Sequence, residues 1–142
     1  MKNEVWYIIL FIGIMCFVRF SPSMIGYIDP LWLMEQLSIP ANTNIQMPYI
    51  VRVWAIRDIV LAVLVAFADK NTVRSLLFAC ILIDCGDILS AHLSGIAGLF
   101  NPSEGWSLKL TAIFALIPES MATFLIVRSN RVSQISSKEE IA

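Results

Sequence analysis

The chain has 142 residues, a formal net charge of −1 and a composition that is 58% hydrophobic and 15% charged. A soluble domain carries about 25% charged residues, so this composition, with a mean hydropathy of +0.75, argues against a soluble protein and indicates one membrane domain. No basic excess is present, which argues against a nucleic-acid partner and leaves the lipid bilayer as the expected partner.

Four apolar segments predict an all-α protein, an antiparallel bundle of four transmembrane helices joined mostly by short connections. The segments cover residues 5–20, 48–68, 72–95 and 102–127. A membrane span needs about 20 residues, so the first segment is short unless its helix continues past Pro22. No small-x-small cleavage site follows this segment, and we expect it to be retained as a helix.

The long connection after the first segment contains a helix start of its own. In "YIDPLWLMEQLSIP", Asp29 is placed to cap a helix and Pro30 suits the first helical turn. The apolar positions predict a short amphipathic helix that lies at the outer membrane interface. These positions are Leu31, Trp32, Met34 and Leu37. "NPSE" is a second helix start, with Asn101 as the cap and Glu104 at the third helical position.

The distribution of basic residues predicts that both termini face the cytoplasm. Connections 29–47 and 96–107 contain no Lys or Arg, whereas the opposite helix ends carry six such residues. The six are Lys2, Lys70, Arg74, Arg128, Arg131 and Lys138. We therefore expect a multi-pass protein of a plasma (inner) membrane, since nothing marks import into an organelle. Residues 1–128 form its single membrane domain, and residues 129–142 form a polar cytoplasmic tail.

The cysteines give no sign of redox or metal chemistry. Cys16, Cys80 and Cys85 all lie in apolar segments, and no two of them form a C-x-x-C pair. This pattern is typical of small buried hydrophobic residues rather than of a thiol redox enzyme or a zinc site. We expect no metal site.

Ionisable residues within the spans are the main functional signal, because a charge at the bilayer centre costs about 2.5–3.5 kcal/mol. At 100° per residue, three helices place acids on the side that carries small residues. The acids are Asp58, Asp84, Asp87 and Glu119. Beside the acids of the third helix runs a ridge of small residues, which predicts close helix approach. The ridge consists of Gly86, Ser90, Ser94 and Gly98.

The same angular reasoning predicts how the charges pair. Arg52 and Arg57 flank the Asp58 face, and Asp84 and Asp87 lie at a matching depth on the next helix. We expect these five residues to form a buried ion-pair or ligand-binding cluster. Two further residues are expected to be secondary to it. Glu119 lies deeper, outside the cluster, and His92 falls on another face near the outer end, where it is expected to be interfacial.

The stretch "VRVWAIRDIVLAVLVAFADKNTVRSLLFACILIDCGDILSAHLSG" resembles the DoxX-like superfamily of small four-helix membrane proteins. The resemblance covers about residues 13–127 and centres on Arg57-Asp58 and Gly86-Asp87. It implies a four-helix bundle in which Arg57, Asp58 and Asp87 are important, and it associates related proteins with quinone and thiol redox partners. The chain departs from that pattern because it lacks paired cysteines and has Glu119 where some relatives have a histidine in the last helix.

Three functions remain open from the sequence. In the first, the bundle binds a small lipophilic molecule such as a quinone or isoprenoid, or docks on a larger membrane complex. In the second, the protein is an acid–base enzyme, of isomerase or oxidoreductase type, with Asp84 or Asp87 as the catalytic group. In the third, it conducts protons or ions as a homo-oligomer. An ion-pair network that only fixes helix register is the alternative to all three.

Overall fold

The computed structural model describes residues 2–37, 46–99 and 101–139, and within them it contains five α-helices and no strand. The helices are α1 (Lys2–Ile28), α2 (Pro30–Gln36), α3 (Met47–Phe67), α4 (Lys70–Ile96) and α5 (Pro102–Glu139). The predicted all-α class is therefore confirmed.

Three helices are long and apolar enough to cross a membrane, which indicates a membrane protein. The candidate spans are Trp6–Ile28, Thr72–Ile96 and Pro102–Ser129. Helix α3 has 21 residues, and at 1.5 Å per residue it is about 31 Å long, close to the thickness of a hydrocarbon core. It carries Arg52, Arg57 and Asp58, however, and these charges require polar partners within the protein.

The helix ends follow local hydrogen-bonding rules. Asp29 Oδ1 accepts a bond from Trp32 N at 3.1 Å, which is the predicted cap of α2. At α5, Glu104 accepts a bond from the backbone N of Asn101, as expected for the third position of a capping box, and its other oxygen accepts a bond from Asn101 Nδ2. Helix α4 ends at Ile96, and two residues later Gly98 adopts a φ of 72°, which is accessible to glycine and allows Leu99 N to donate to Ser94 O.

Two helices are longer than the apolar segments that predict them. Helix α1 continues through Pro22 to Ile28, so the longer of the two lengths that the sequence left open is the one present. Helix α5 continues through Pro118 to Glu139, so the tail predicted at 129–142 is helical as far as the structure describes it.

Some predictions concern parts of the chain outside the described residues. These are the connection at 38–45, position 100, the last three residues, and the side chains of Lys2, Lys70, Arg131 and Lys138.

The four long helices contact one another in a ring. Helix α1 packs against α3 and α5, and α4 packs against α5 but only sparsely against α3. Two buried apolar clusters lie at different levels of this arrangement. The first apolar cluster is Met15, Val65, Leu77, Cys80 and Ala122, and the second is Leu33, Met34 and Val51. In α3, Val65 belongs to the first cluster and Val51 to the second, and in α5, Ala122 belongs to the first while Leu108 packs against the second, so both helices run from the second level toward the first.

The outward faces are apolar, as predicted for a lipid-facing surface. On α4 the exposed positions include Leu82, Leu89, Leu93 and Ile96. The predicted close approach along the small-residue ridge is wrong, because Gly86 is exposed and a Cβ added there meets nothing within 4 Å. The close approach occurs at Gly26 of α1 instead, where an added Cβ would lie 2.5 Å from Leu33 Cδ2.

Replacing Gly26 with valine should therefore destabilise the fold. The new side chain meets Leu33 of α2 and then Val51 of α3, and overpacking of this kind typically costs about 1–3 kcal/mol. Gly13→Val in the same helix is the matched control, since a Cβ added at Gly13 meets nothing within 4 Å. Thermal unfolding in detergent micelles should give a lower midpoint for Gly26→Val than for Gly13→Val; equal midpoints would contradict the packing described for α2.

Candidate functional site

One arginine, Arg19 on α1, contacts a carboxylate from each of the other three long helices. Its Nη1 donates to Asp58 Oδ1 at 2.9 Å, its Nη2 to Asp84 Oδ1 at 2.7 Å, and its Nε to Glu119 Oε1 at 2.6 Å. Nη2 also contacts the backbone oxygen of Cys80 at 3.4 Å. The Arg19 side chain is 1% exposed, and the three acids are also buried.

This arrangement follows from placing ionisable groups within apolar helices. A charge removed from water is tolerated only when opposite charges and hydrogen bonds replace its hydration. The planar guanidinium has several N–H groups that point in different directions, so it can bind three carboxylates at once. Because Asp58, Asp84 and Glu119 come from different helices, Arg19 fixes the relative heights of α3, α4 and α5 against α1.

A second arginine, Arg57 on α3, extends this network toward the surface. Its Nη1 and Nη2 donate to the two oxygens of Asp87 on α4 at 3.3 and 2.8 Å, and its Nε donates to Asp58 Oδ1 at 3.2 Å. Arg57 and Asp87 are each about one-third exposed. The pair therefore joins α3 to α4 where these two helices otherwise contact each other sparsely. We call the six residues Arg19, Arg57, Asp58, Asp84, Asp87 and Glu119 the polar cluster.

The polar cluster contains more acceptors than its two arginines engage. Four carboxyl groups share two guanidinium groups. Asp84 Oδ2 and Glu119 Oε2 are buried and have no hydrogen-bond partner in the protein. Buried polar atoms are normally paired, and each exception calls for an explanation such as a proton or a bound molecule.

A cavity of about 470 Å³ lies directly against the polar cluster. Arg19, Asp58, Asp84 and Asp87 form its polar end, and the remaining walls are mainly apolar. These walls include Leu33, Leu37, Met47, Trp54, Leu108, Ala112 and Phe114. Ser23 also lines the cavity; it is fully buried, and its Oγ has no partner. The volume lies within the range of about 300–1,000 Å³ found for small-molecule sites.

The structure brings together four of the five residues predicted to form the cluster, but with different pairings. Arg57 pairs with Asp87 and Asp58, as one of the expected combinations, whereas Asp84 pairs with Arg19. Arg52 is not in the cluster: it is exposed, and its Nε donates to the Tyr27 carbonyl at 3.2 Å. It lies almost two helical turns from Asp58, toward the end of α3.

The two residues predicted to be secondary behave differently. Glu119 belongs to the cluster, so the expectation that it lies apart is wrong. Its depth in the bundle matches that of Arg19, its ion-pair partner, rather than that of the other arginines. His92 is exposed and does not line the cavity. Of the cysteines, Cys80 is buried and Cys16 half-buried, but Cys85 is exposed, which corrects the expectation of burial for that residue.

Arg19 and Ser23 were not among the predicted site residues, because the first apolar segment was placed at residues 5–20 and its extension past Pro22 was left open. With that boundary, Arg19 lies at a helix end, where a charge reaches water without penalty. The signal was nevertheless present. Extending the helix through Pro22 to Ile28 places Arg19 inside a 23-residue apolar span, where it requires buried acidic partners.

Comparison with known proteins gives no relative: no protein-family model, no curated protein and no solved structure matches the chain. The DoxX-like resemblance therefore stays a prediction. Conclusions about function depend on the polar cluster and the cavity beside it.

Replacing Arg19 with methionine should be severely destabilising. The change leaves the buried Asp84 and Glu119 without a cation and Asp58 with Arg57 alone, and breaking a buried pair by removing one partner typically costs about 3–5 kcal/mol. Arg52→Met is the matched control, since Arg52 is exposed and bonds only to a backbone oxygen among its described contacts. Unfolding midpoints measured in detergent should fall sharply for Arg19→Met and change little for Arg52→Met. Similar midpoints for the two variants would contradict a central role for Arg19.

Proposed function

We propose that this protein is a four-span membrane protein that binds a small lipophilic molecule, with the polar end of the molecule at the polar cluster. The observation that carries the proposal is a cavity with apolar walls whose lining residues include Ser23 and Asp84, each of which has a buried polar atom without a protein partner. Apolar pockets with a few convergent polar groups are the usual form of small-molecule sites. A network that served only helix register would not require such a space.

The proposal treats α3 as the fourth transmembrane helix of an antiparallel bundle. Its length is sufficient, and its two deepest charges, Arg57 and Asp58, are paired within the protein. Arg52 lies toward the helix end, from which a long side chain reaches the membrane interface. Pairing removes the main objection to a charged span, which is an unsatisfied ion in lipid.

In this proposal both termini are cytoplasmic and the membrane is a plasma (inner) membrane. The cavity then lies in the outer half of the bilayer, because it is bounded by Leu33 and Leu37 of α2 and by the early turns of α3 and α5. Helix α2 covers this end of the bundle, and its exposed Trp32 is suited to the headgroup region. The DoxX-like resemblance supports the same architecture and agrees with a quinone or isoprenoid as ligand.

The geometry favours binding over the two alternatives. Both oxygens of Asp87 and one oxygen of Asp84 accept bonds from guanidinium groups, an arrangement typical of fixed counter-ions rather than of a free acid or base. Ion passage through one copy is opposed by the first apolar cluster, where Met15 and Leu77 are fully buried on the far side of Arg19. Docking on a membrane complex or on a second copy is compatible with a filled cavity.

The orientation can be tested by labelling with a membrane-impermeant maleimide in intact cells. Leu99→Cys, in the α4–α5 connection, should be labelled, whereas Thr72→Cys, at the start of α4, should be labelled only after permeabilisation. Both positions are exposed, so access to the reagent decides the result. The unmodified chain, with its three native cysteines, gives the background. Labelling with the reverse pattern would reject the proposed orientation.

Filling the cavity should abolish ligand binding. Ala115 is a half-buried lining residue of α5, so Ala115→Phe places a ring in the cavity without displacing the polar cluster. Native mass spectrometry of protein extracted gently from its own membranes should show a bound small molecule on the unmodified chain. It should be lost from Ala115→Phe and retained by Ala66→Phe, a change at an exposed residue that does not line the cavity.

The same comparison can reject the proposal. Equal occupancy in Ala115→Phe and Ala66→Phe, with both variants folded, would place the ligand elsewhere. No bound molecule on the unmodified chain, together with no binding of added lipophilic compounds, would favour a purely structural network.

A further inference from the structure

The hydrogen-bonding groups at the polar end of the cavity are unequally used. Each nitrogen of the Arg19 guanidinium already contacts a protein oxygen, and the same holds for Arg57. Among the described residues that line the cavity, Arg19 is the only cation. Arg19 has five N–H groups and uses four of them in these contacts, so an incoming anion finds at most one N–H group of Arg19 without a protein partner, although it would lie beside several carboxyl groups.

Most of the unused groups at this end of the cavity are oxygens. Ser23 and Asp84 line the same cavity, and Ser23 Oγ and Asp84 Oδ2 are buried and have no hydrogen-bond partner in the protein. Asp87 presents a further carboxyl group to the cavity. A carboxylate can only accept hydrogen bonds, whereas a serine hydroxyl can accept one and also donate one. When these carboxyl groups are ionised, a molecule that satisfies them must therefore donate at least one hydrogen bond.

Charge leads to the same conclusion. The polar cluster has four carboxyl groups and two guanidinium groups, so its ionised form has a negative excess in surroundings of low polarity. A ligand carboxylate or phosphate would increase that excess, and like charges repel strongly when they are poorly solvated. A neutral hydroxyl leaves the excess unchanged, and an ammonium group reduces it.

We propose, on the basis of the ligand-binding function above, that the cavity selects lipophilic molecules with a hydrogen-bond-donating polar end, an alcohol or an amine, over lipophilic acids. A ligand hydroxyl donates to Asp84 Oδ2 and accepts from the Ser23 hydroxyl, whereas an amine donates to both oxygens. The apolar part of the ligand lies against Leu33, Trp54 and Phe114. Bound quinone would thus be held best in its hydroquinone form, which carries hydroxyl groups.

Probes that share one chain length and differ in their polar end show the effect of that end on binding. The full chain, reconstituted in nanodiscs at pH 7, is titrated with 1-decanol, decylamine or decanoic acid. Binding is followed by the fluorescence of Trp54, which lines the cavity. The Trp54 signal is obtained by subtracting the fluorescence of the Trp54→Phe variant from that of the unmodified chain. Probe concentrations are expressed as those in the bilayer, measured with empty nanodiscs of the same lipid, so that membrane partitioning does not affect the comparison.

We expect decanol and decylamine to bind at least tenfold more tightly than decanoic acid. Ser23→Ala should weaken decanol binding about fivefold without loss of stability, because the hydroxyl removed has no partner within the protein. Ser107→Ala, a change on α5 outside the cavity lining, should have no effect.

The outcomes separate this inference from the proposed function. Decanoic acid binding as tightly as decanol would overturn the inference about the polar end while leaving ligand binding in the cavity established. Unchanged decanol affinity in Ser23→Ala would also overturn it, since the assigned contact would then contribute nothing. Failure of all three probes to bind would count against the proposed function itself.

Discussion

The fold depends on one buried cation that is shared among three helices. Arg19 lies within the apolar span of α1, and it is compatible with that position only because Asp58, Asp84 and Glu119 surround it. The dependence is mutual, because without Arg19 the buried Asp84 and Glu119 would have no cation and Asp58 would keep only Arg57. In lipid, apolar contacts between helices bring little hydrophobic gain, so directional ionic contacts of this kind have a large influence on which helices meet and at what height.

The position of this network also shapes the space next to it. On one side, the first apolar cluster fills the region between the helices with well-packed side chains such as Met15 and Leu77. On the other side, α3 and α4 contact each other sparsely, and α2 packs Leu33 and Met34 across the end of the helices. The result is a cavity with a polar end and apolar walls. In the proposed function, structural pairing and ligand selection are consequences of the same set of charges.

Most of the architecture could be predicted, because the length of an apolar segment and the residues that start or end a helix are local properties of the sequence. Asp29 caps α2 as expected, and the lipid-facing side of α4 follows from helical periodicity. The small-residue ridge of α4 was misleading, because small residues permit close approach without requiring it; Gly86 and Ser90 are exposed. In the site, the acids were identifiable as residues that are costly in lipid, but their partners were not, since pairing depends on the relative heights of different helices.

The sequence by itself determined that the chain is a helical membrane protein with an unusual number of charges inside its apolar segments, because composition and 3.6-residue periodicity require nothing beyond the chain. Only the tertiary structure decided that Arg19, rather than Arg52, binds these acids, that Glu119 joins them, and that Ser23 faces a cavity beside them. The physical reason is that each of these contacts depends on the relative positions of residues on separate helices. The length of α1 past Pro22 and the packing of Gly26 against α2 set those positions, and no single segment contains that information.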